Sequence, residues 1–421
     1  MKKSLQTGFS AIFTILLSFT CINASSQSKP QWPCFHGLDR TNKSPETGLL
    51  QKWPSGGPKL LLTISGLGEG FSSVSIADGL LFTGGLVGEQ PWIFAFDLSG
   101  KLIWKKPAGK KWTTTASWAI TYLGPRSTPT YDNGVVYFLG EMGLLTAFEA
   151  RTGKEIWNVD LPEAYNAPVT EYGYSESVLI DGNNLYVRPV GMKGHQVCLD
   201  KRTGRQVWVN TQIPGKEGYT SPVLREIGGY RQVIGASSNC YYGVDTKTGR
   251  LLWKVDVANE VEVNAADAII HNNHLFVSSG YGLGSMLFRL NVADDGIKPV
   301  KVWGSALMDN YHGGVLFHDG YVFGSGNRAR GWYCLDFMTG EQKWKSTSDE
   351  GSLTYADGML YALDQRGTMK LIRATPEKYE VNGELKVPSG GTGSYWAHPV
   401  ICDKKLYIRH ADKIFVYDVS R

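Results

Sequence analysis

Arginine, histidine, tyrosine and tryptophan side chains recur in the short segments that flank the apolar alternating runs of this sequence. Ten of them are candidate site residues: Arg126, Tyr174, Arg188, His195, Tyr311, His312, Arg328, Trp396, His398 and Arg409. An arginine can hold a carboxylate or sulfate through two parallel N–H donors, and aromatic faces can stack on a sugar ring. A tyrosine or histidine can take or give a proton. If the fold brings these residues together, they form a site for an anionic ligand.

A repeated hairpin is the element that has to position them. In the copy at residues 146–157, an alternating run passes through a Thr-Gly turn into a second run that ends on Trp157. Gly153 suits the left-handed backbone of such a turn. Equivalent positions are 97, 149, 200, 245, 291, 336, 373 and 418. A repeat of about 45 residues built only of strands is typical of propeller blades.

Each of these hairpins follows another one, with turns such as Asp78-Gly79 and Asp181-Gly182. Every repeat therefore contains four strands, A to D, and there are eight repeats. The last repeat ends near Asp418 without a fourth strand, whereas residues 58–64 have no partner of their own. We expect this early strand to complete the last blade and close the ring. The predicted fold is all-β, an eight-bladed β-propeller of four-stranded antiparallel blades.

Six of the thirteen tryptophans occupy the same position in strand D: Trp104, Trp157, Trp208, Trp253, Trp303 and Trp344. A large aromatic at this position in so many blades indicates packing between neighbouring blades. We expect these residues to be structural.

The first 26 residues resemble an export signal, with Lys2 and Lys3 followed by an apolar run. We expect cleavage after residues 24–26, a single propeller domain over residues 27–421, and a periplasmic or secreted product; a lipid anchor at Cys21 is less favoured. No later segment is apolar enough to span a membrane. The net charge of +4, without a basic run, does not favour nucleic-acid binding.

The turns sort the predicted propeller into two faces. The A–B and C–D turns are short and lie on one face. The B–C loops and the connectors between blades lie on the other, and this face carries the ten candidate residues. Because functional residues concentrate on loops held by a rigid scaffold, we expect the site there. Whether the long connector at residues 105–126 plugs this mouth stays open at this stage.

The repeats, of the form Ala-x-Asp-x-x-Thr-Gly-Lys-x-x-Trp, resemble those of the quinoprotein-like propellers, named for pyrroloquinoline quinone (PQQ). The segments at residues 32–40 and 311–314 resemble a polyvinyl-alcohol-dehydrogenase-like subgroup. Some secreted members of this subgroup occur with ulvan-degrading enzymes and are similar to oligosaccharide dehydratases. The resemblance covers residues 30–420 and implies the fold more firmly than the activity.

The activity that these residues and this resemblance imply is removal of water from the terminal uronic acid of ulvan-type oligosaccharides. Arg188 and Arg126 are expected to hold the carboxylate, and Tyr174 and His312 to act as base and acid. The remaining candidates, expected to bind the sugar, are His195, Tyr311, Arg328, Trp396, His398 and Arg409.

Three alternatives stay open. A polysaccharide lyase would use the same groups to cut the chain. A PQQ-dependent alcohol dehydrogenase would be expected to carry an adjacent Cys-Cys pair and an acidic calcium site, and neither is evident in the sequence. A non-catalytic scaffold would not require a mouth rich in Arg, His and Tyr. We therefore expect no cofactor and no metal among the site residues, and leave the metal requirement and the oligomeric state open.

Overall fold

The computed structural model of the chain describes Met1 and residues 31–168, 171–293, 296–347 and 350–421. The predicted export signal, apart from Met1, and the alternative anchor at Cys21 lie outside the described residues. Within the described ranges, no helix has the length and the apolar character needed to cross a membrane.

Strands account for nearly all of the regular structure. After β1 (Lys59–Ile64), blades 1 to 4 are formed by β2 (Ser75–Ala77), β3 (Leu80–Val87), β4 (Gln90–Asp97), β5 (Leu102–Pro107), β6 (Thr130–Asp132), β7 (Val135–Leu139), β8 (Leu144–Glu149), β9 (Glu155–Asp160), β10 (Leu179–Asp181), β11 (Asn184–Val187), β12 (Gln196–Asp200), β13 (Gln206–Asn210), β14 (Val223–Ile227), β15 (Tyr230–Ala236), β16 (Cys240–Asp245) and β17 (Leu251–Asp256). Blades 5 to 8 are formed by β18 (Ile269–His271), β19 (His274–Ser279), β20 (Gly284–Ala293), β21 (Gly296–Ser305), β22 (Leu316–His318), β23 (Tyr321–Gly326), β24 (Gly331–Asp336), β25 (Gln342–Lys345), β26 (Gly351–Ala356), β27 (Met359–Asp364), β28 (Thr368–Arg373), β29 (Val381–Lys386), β30 (Val400–Cys402), β31 (Lys405–His410) and β32 (Lys413–Asp418). A short helix α1 (Leu161–Tyr165) and a 3₁₀ turn (Ser117–Ala119) lie in connectors.

These strands form eight four-stranded antiparallel sheets, as the repeat predicted. Seven blades use four consecutive strands. The eighth has the order β1-β32-β31-β30, so the early strand completes the last blade. Lys59 pairs with Asp418 and Ile64 with Ile414. The prediction that residues 58–64 close the ring is confirmed.

The core lies between the blades, where the faces of neighbouring sheets pack together. Phe82 and Ile93 of blade 1, for example, pack with Val136 and Phe138 of blade 2, and all four are almost completely buried. Because both faces of a blade are covered in this way, its inner strands, such as β3 and β4, are mostly buried on both sides.

The repeated Trp-and-Gly pattern has a direct structural cause. Trp157 belongs to blade 2, and its indole lies against a turn of blade 3. There the indole N–H donates to Lys201 O at 2.9 Å. Gly204 of that turn is so close that a Cβ atom would lie 2.8 Å from the indole. Trp104 binds the next blade in the same way, through Ala150 O at 2.9 Å. The repeat therefore encodes the contact between one blade and the next.

Trp253 is an exception that supports this explanation. The following blade lacks the Thr-Gly turn and instead has the long hairpin of β20 and β21. Without that turn, the indole N–H of Trp253 donates at 2.6 Å to Gln232 Oε1, within its own blade.

The centre of the ring is occupied by the axial segment, which we define as residues 32–44. Its first residue, Trp32, exchanges two backbone hydrogen bonds of 2.8 Å with Ile76 of β2. At its end, Ser44 N donates to Tyr355 O of β26 at 2.8 Å. Between these two ends the segment reaches blades 3 and 4 through Arg40, so it extends across the ring.

Arg40 anchors this segment inside the ring. Its guanidinium donates to Ser177 O at 2.9 Å and to Pro222 O at 3.0 Å, at the entrances to blades 3 and 4. The side chain is only 6% exposed. The axial segment thus forms a floor across the ring. The connector at residues 105–126, whose role was open, contributes instead to the wall of the mouth.

We expect Gly204→Ala to destabilise the protein more than Gly182→Ala. Both glycines have positive φ, of 72° and 58°, so alanine costs about 1–2 kcal/mol of backbone energy at either position. A Cβ at Gly182 meets nothing within 4 Å, whereas one at Gly204 collides with Trp157. Overpacking adds about 1–3 kcal/mol. Denaturant unfolding of both variants measures the difference, and equal loss in the two would contradict the role of the indole contact.

Candidate functional site

A cavity of about 490 Å³ opens on the face formed by the connectors between blades. Residues from seven connectors line it: Phe71, Tyr122, Arg126, Tyr172, Ser175, Ser177, Tyr219, Ser221, Val261, Val263, Ala265, Asp267, Tyr311, His312, Trp396 and His398. Tyr281, between β19 and β20, and Phe35 of the axial segment complete the lining. The connectors converge because each precedes the first strand of its blade, next to the ring axis.

Trp396 lies at the middle of the aromatic wall of this cavity. Its ring is 4.9 Å from that of Tyr122 and 5.4 Å from that of Phe71, measured between centroids. On the other side it meets Tyr311 edge-on at 6.4 Å and His312 at 6.2 Å. Such a wall offers flat apolar surface with polar edges, as a sugar ring requires.

Arg126 supplies the positive charge of the cavity. It donates to Tyr172 O at 2.6 Å and to Tyr122 O, which holds the guanidinium in place. Its guanidinium carbon lies 5.1 Å from the ring of Trp112 and 5.9 Å from that of Phe71. Burial lowers the pKa of Arg126, and Glu141 opposes that shift. Two of its five N–H donors bind the backbone carbonyls, and the group also lines the cavity.

Glu141 makes the charge beside the cavity depend on pH. The residue is completely buried, and burial raises the pKa of its carboxyl to about 7, against the effect of Arg126. Below that pH the carboxyl is neutral and the positive charge of Arg126 is not offset. Above it, a carboxylate competes with any bound anion for the guanidinium.

His312 is a histidine of the cavity wall whose ring nitrogens are available for hydrogen bonding. Neither ring nitrogen has a hydrogen-bond partner in the described part of the chain. The ring stacks on Tyr311, with 4.6 Å between centroids. Burial lowers the pKa of His312 to about 4, so the ring is neutral near pH 7. An unpartnered buried nitrogen at a cavity wall indicates a contact that a ligand completes.

Gln365 orients two of the aromatic residues from behind the wall. Its Oε1 accepts from Tyr311 OH at 3.2 Å and from Trp396 Nε1 at 3.3 Å. Its amide nitrogen donates to Glu350, which fixes which end of the amide faces the cavity. Because the Tyr311 hydroxyl donates its proton to Gln365, its oxygen can accept a hydrogen bond from a ligand.

Five of the ten sequence-predicted residues are brought together here: Arg126, Tyr311, His312, Trp396 and His398. The other five lie elsewhere, which corrects the expectation that all ten face the mouth.

Tyr174 and Arg188, two of the three residues predicted to be catalytic, lie inside the protein. Tyr174 is 1% exposed, and its OH donates to Pro189 O at 2.9 Å. Arg188 is 2% exposed and forms an ion pair with Glu176, Nε to Oε2, at 2.6 Å. It also donates to the backbone carbonyl of Ala236. These contacts account for both side chains within the fold.

His195, Arg328 and Arg409 also lie away from the cavity lining. His195 is half-buried and directly precedes β12. Arg328 is exposed and paired with Glu260. Arg409 is 1% exposed and donates to Ser72 O at 3.0 Å. Burial lowers the pKa of Arg409 to about 9.

The sequence predictions missed His36 and Asp267, which adjoin the wall. His36 Nε2 lies 2.7 Å from His398 Nδ1, and His36 Nδ1 lies 3.2 Å from Asp267 Oδ2. Phe35 stacks on His36, with 3.8 Å between centroids. His36 was within a segment that carried the family resemblance, but only the path of the axial segment places it beneath the cavity.

Comparison with known proteins assigns the chain to a family. Residues 89–346 match the PQQ-like repeat family described as outer membrane protein assembly factor BamB. The chain belongs to this family.

The sequence matches to curated relatives cover only part of each relative. A stretch of 142 residues is 28% identical to the quinohemoprotein alcohol dehydrogenase ADH IIB of Pseudomonas putida, and covers 31% of this chain and 20% of that protein. A stretch of 172 residues is 28% identical to the outer membrane protein assembly factor BamB of Escherichia coli (strain K12), and covers 40% of this chain and 39% of that protein. The match thus spans less than half of either relative.

Solved structures confirm the propeller fold. BamB from Moraxella catarrhalis has a TM-score of 0.61 at 15% identity, over 86% of this chain and 99% of that one. The quinohemoprotein alcohol dehydrogenase from Comamonas testosteroni has a TM-score of 0.62 at 13% identity, over 93% and 81%. At these identities the likeness shows the fold alone.

The cavity does not fit the cofactor for which the repeat is named. PQQ is a planar quinone with three carboxylates. The aromatic wall could accept its ring, but Arg126 is the one arginine or lysine among the described lining residues, and Asp267 adds an acidic side chain. Across the described residues, no group of three or more His, Cys, Asp or Glu side chains is arranged to hold a metal ion. We therefore derive no chemistry through this cofactor.

Replacing Arg188 tests its structural assignment. We expect Arg188→Met to cost about 3–5 kcal/mol of unfolding free energy, because it leaves Glu176 buried without its partner. The control is Arg231→Met, whose ion pair with Asp181 is partly exposed and which we expect to cost about 1 kcal/mol or less. Guanidinium unfolding of both variants measures this. Equal stability of the two would contradict the assignment.

Proposed function

We propose that this family member is a carbohydrate-active dehydratase that removes water by β-elimination from the terminal uronic acid of an anionic oligosaccharide. Ulvan-type oligosaccharides are the substrates that the sequence led us to expect. The proposal is carried by one juxtaposition: an arginine and a neutral, unpartnered histidine line the same aromatic cavity, on either side of Trp396.

Arg126 is suited to hold the uronate carboxylate. Elimination requires loss of the proton at C5, next to that carboxylate. A guanidinium that binds the carboxylate stabilises the negative charge that develops there when the proton leaves. The contacts of Arg126 with two backbone carbonyls hold it ready, so that little reorganisation is needed on binding.

His312 is the base in this proposal. As a neutral imidazole it takes the C5 proton, and the C–H electron pair becomes the C4–C5 double bond as the C4 oxygen departs. Tyr281 is proposed to protonate that oxygen, which leaves as water. Burial raises the pKa of the Tyr281 phenol, so the proton is present near neutral pH. Proton transfer from His312 back to Tyr281, through water, restores both groups.

We expect the purified protein to convert glucuronate-terminated ulvan oligosaccharides to products one water lighter, with the ultraviolet absorbance of an unsaturated uronate and no change in chain length. His312→Gln should lower the rate about 10²- to 10⁴-fold, because the proton acceptor is lost. His274→Gln is the control, since His274 lies on the opposite face, at the start of β19. Absence of any absorbance change with the unaltered protein, or full activity of His312→Gln, would refute the proposal.

The two shifted pKa values predict a pH window for kcat/KM between about 4 and 7. Below the lower value His312 is protonated and cannot accept a proton. Above the higher value Glu141 ionises and competes with the substrate for Arg126. We expect Glu141→Gln to remove the alkaline limb and leave the acidic one, as measured by initial rates across the range. An alkaline limb that persists in this variant would show that another group causes it.

The same assay separates the alternatives. A polysaccharide lyase would produce the absorbance together with shorter chains. A quinone-dependent alcohol dehydrogenase would reduce a dye when PQQ and calcium are added. The relatives named BamB favour a scaffold as the second candidate, and inertness toward every uronate-terminated oligosaccharide, with membrane proteins co-purifying, would support it.

A further inference from the structure

Asp267, His36 and His398 form a continuous polar chain that ends on the backbone of His312. His36 Nδ1 lies 3.2 Å from Asp267 Oδ2, and His36 Nε2 lies 2.7 Å from His398 Nδ1. His398 Nε2 lies 3.0 Å from His312 O. All three side chains of the chain are at least nine-tenths buried.

The far end of the chain sets its direction. A carbonyl oxygen can only accept, so His398 Nε2 must carry a proton. Burial holds the pKa of His398 well below its usual range, so that ring is neutral and its Nδ1 is bare. His36 Nε2 must therefore donate to it. Both of these protons point toward His312.

The near end then requires an additional proton. Two neutral imidazoles carry two protons, and both are already used in the bonds to His398 Nδ1 and His312 O. The contact between His36 Nδ1 and Asp267 would otherwise set a bare nitrogen against a carboxylate oxygen. One further proton, shared between His36 Nδ1 and Asp267 Oδ2, removes this repulsion. Whichever of these two atoms carries the proton, the three side chains together are neutral.

We propose that Asp267 and His36 are positioning residues, which hold His398 in the tautomer that hydrogen bonds the backbone of His312. In that tautomer both nitrogens of His398 are occupied within the protein, so His398 acts through His312 and does not bind substrate by these atoms. This reassigns a residue that the sequence placed in the substrate site. The proposal rests on the proposed function only in that His312 is the base.

Three further features hold His36, His398 and Asp267 in these positions. His36 has a positive φ of 64°, which is costly for a residue other than glycine and is kept where the surroundings demand it. Phe35 packs on both imidazoles, 3.8 Å from His36 and 4.9 Å from His398. Asp267 Oδ1 accepts from Ser221 N at 2.7 Å, which orients Oδ2 toward His36.

The decisive pair of variants is Asp267→Asn and Asp267→Leu. The amide of Asp267→Asn can still accept from Ser221 with its oxygen, and its nitrogen can donate to His36 Nδ1. The chain is then complete without the third proton, and His398 keeps its tautomer. Asp267→Leu has a similar size but no polar atom, so the chain is broken. We expect Asp267→Asn to retain most of kcat and Asp267→Leu to lose about 10- to 100-fold, as for other small displacements of a reacting group.

Nitrogen NMR of the histidine rings tests the chain without substrate. In the unaltered protein we expect a proton on Nε2 of His36, and a proton on Nε2 but not on Nδ1 of His398. In Asp267→Asn these assignments should be unchanged, whereas in Asp267→Leu His398 should no longer hold a single tautomer. Finding His398 protonated at Nδ1 in the unaltered protein, or an unchanged single tautomer of His398 in Asp267→Leu, would overturn the proposal.

The two readouts separate this inference from the proposed function. The expected nitrogen signals together with no elimination activity would support the chain and refute the dehydratase. Elimination activity that is equal in Asp267→Asn and Asp267→Leu would refute the positioning role and leave the dehydratase standing.

Discussion

The contact between an indole and the turn of the next blade is the interaction on which the rest of this structure depends. Trp157 donates to a carbonyl of the neighbouring turn and presses on a glycine that leaves room for it. Repetition of this contact sets the spacing between blades, and β1 paired with β32 closes the ring. Once the ring is closed, the connectors have one place to meet. The cavity therefore follows from contacts made on the opposite face.

Buried arginines stabilise the interior of the ring. They also explain why two of the predicted ligand-binding arginines, Arg188 and Arg409, do not reach the cavity. Arg40, Arg188 and Arg409 all donate to backbone carbonyls inside the ring. A propeller leaves carbonyl groups unpaired where its strands begin at the axis, and a guanidinium with several donors satisfies more than one of them. An arginine near the start of a blade is thus as well suited to the scaffold as to a ligand. Exposure to the cavity distinguishes the two uses, and Arg126 has it.

Proteins to which parts of this chain are similar are named as dehydrogenases and as assembly factors. The fold alone therefore does not choose among activities. The residues that line the cavity must therefore determine the activity. In the function that we propose, Arg126 binds the single carboxylate of the sugar, His312 takes the proton and the aromatic wall contacts the ring. The axial segment forms the floor of the cavity, and the hydrogen bond between His36 and His398 connects that floor to the wall.

The period of the repeat, the eight blades, the closing strand and the face that carries the mouth could all be predicted from the sequence. These features depend on local patterns, turn residues and alternation, which are written into each stretch of chain. Five of the ten candidate residues were also found at the cavity. Tyr174 and Arg188 could not be excluded beforehand, because a side chain at a strand end can turn toward the axis or into the space between blades. His36 and Asp267 could not be recognised, since they are more than two hundred residues apart and meet only when the axial segment crosses the closed ring. The sequence by itself determined the ring and its working face. The tertiary structure alone decided which polar side chains remain available to a ligand, because that depends on which backbone groups the closed ring leaves for them to satisfy.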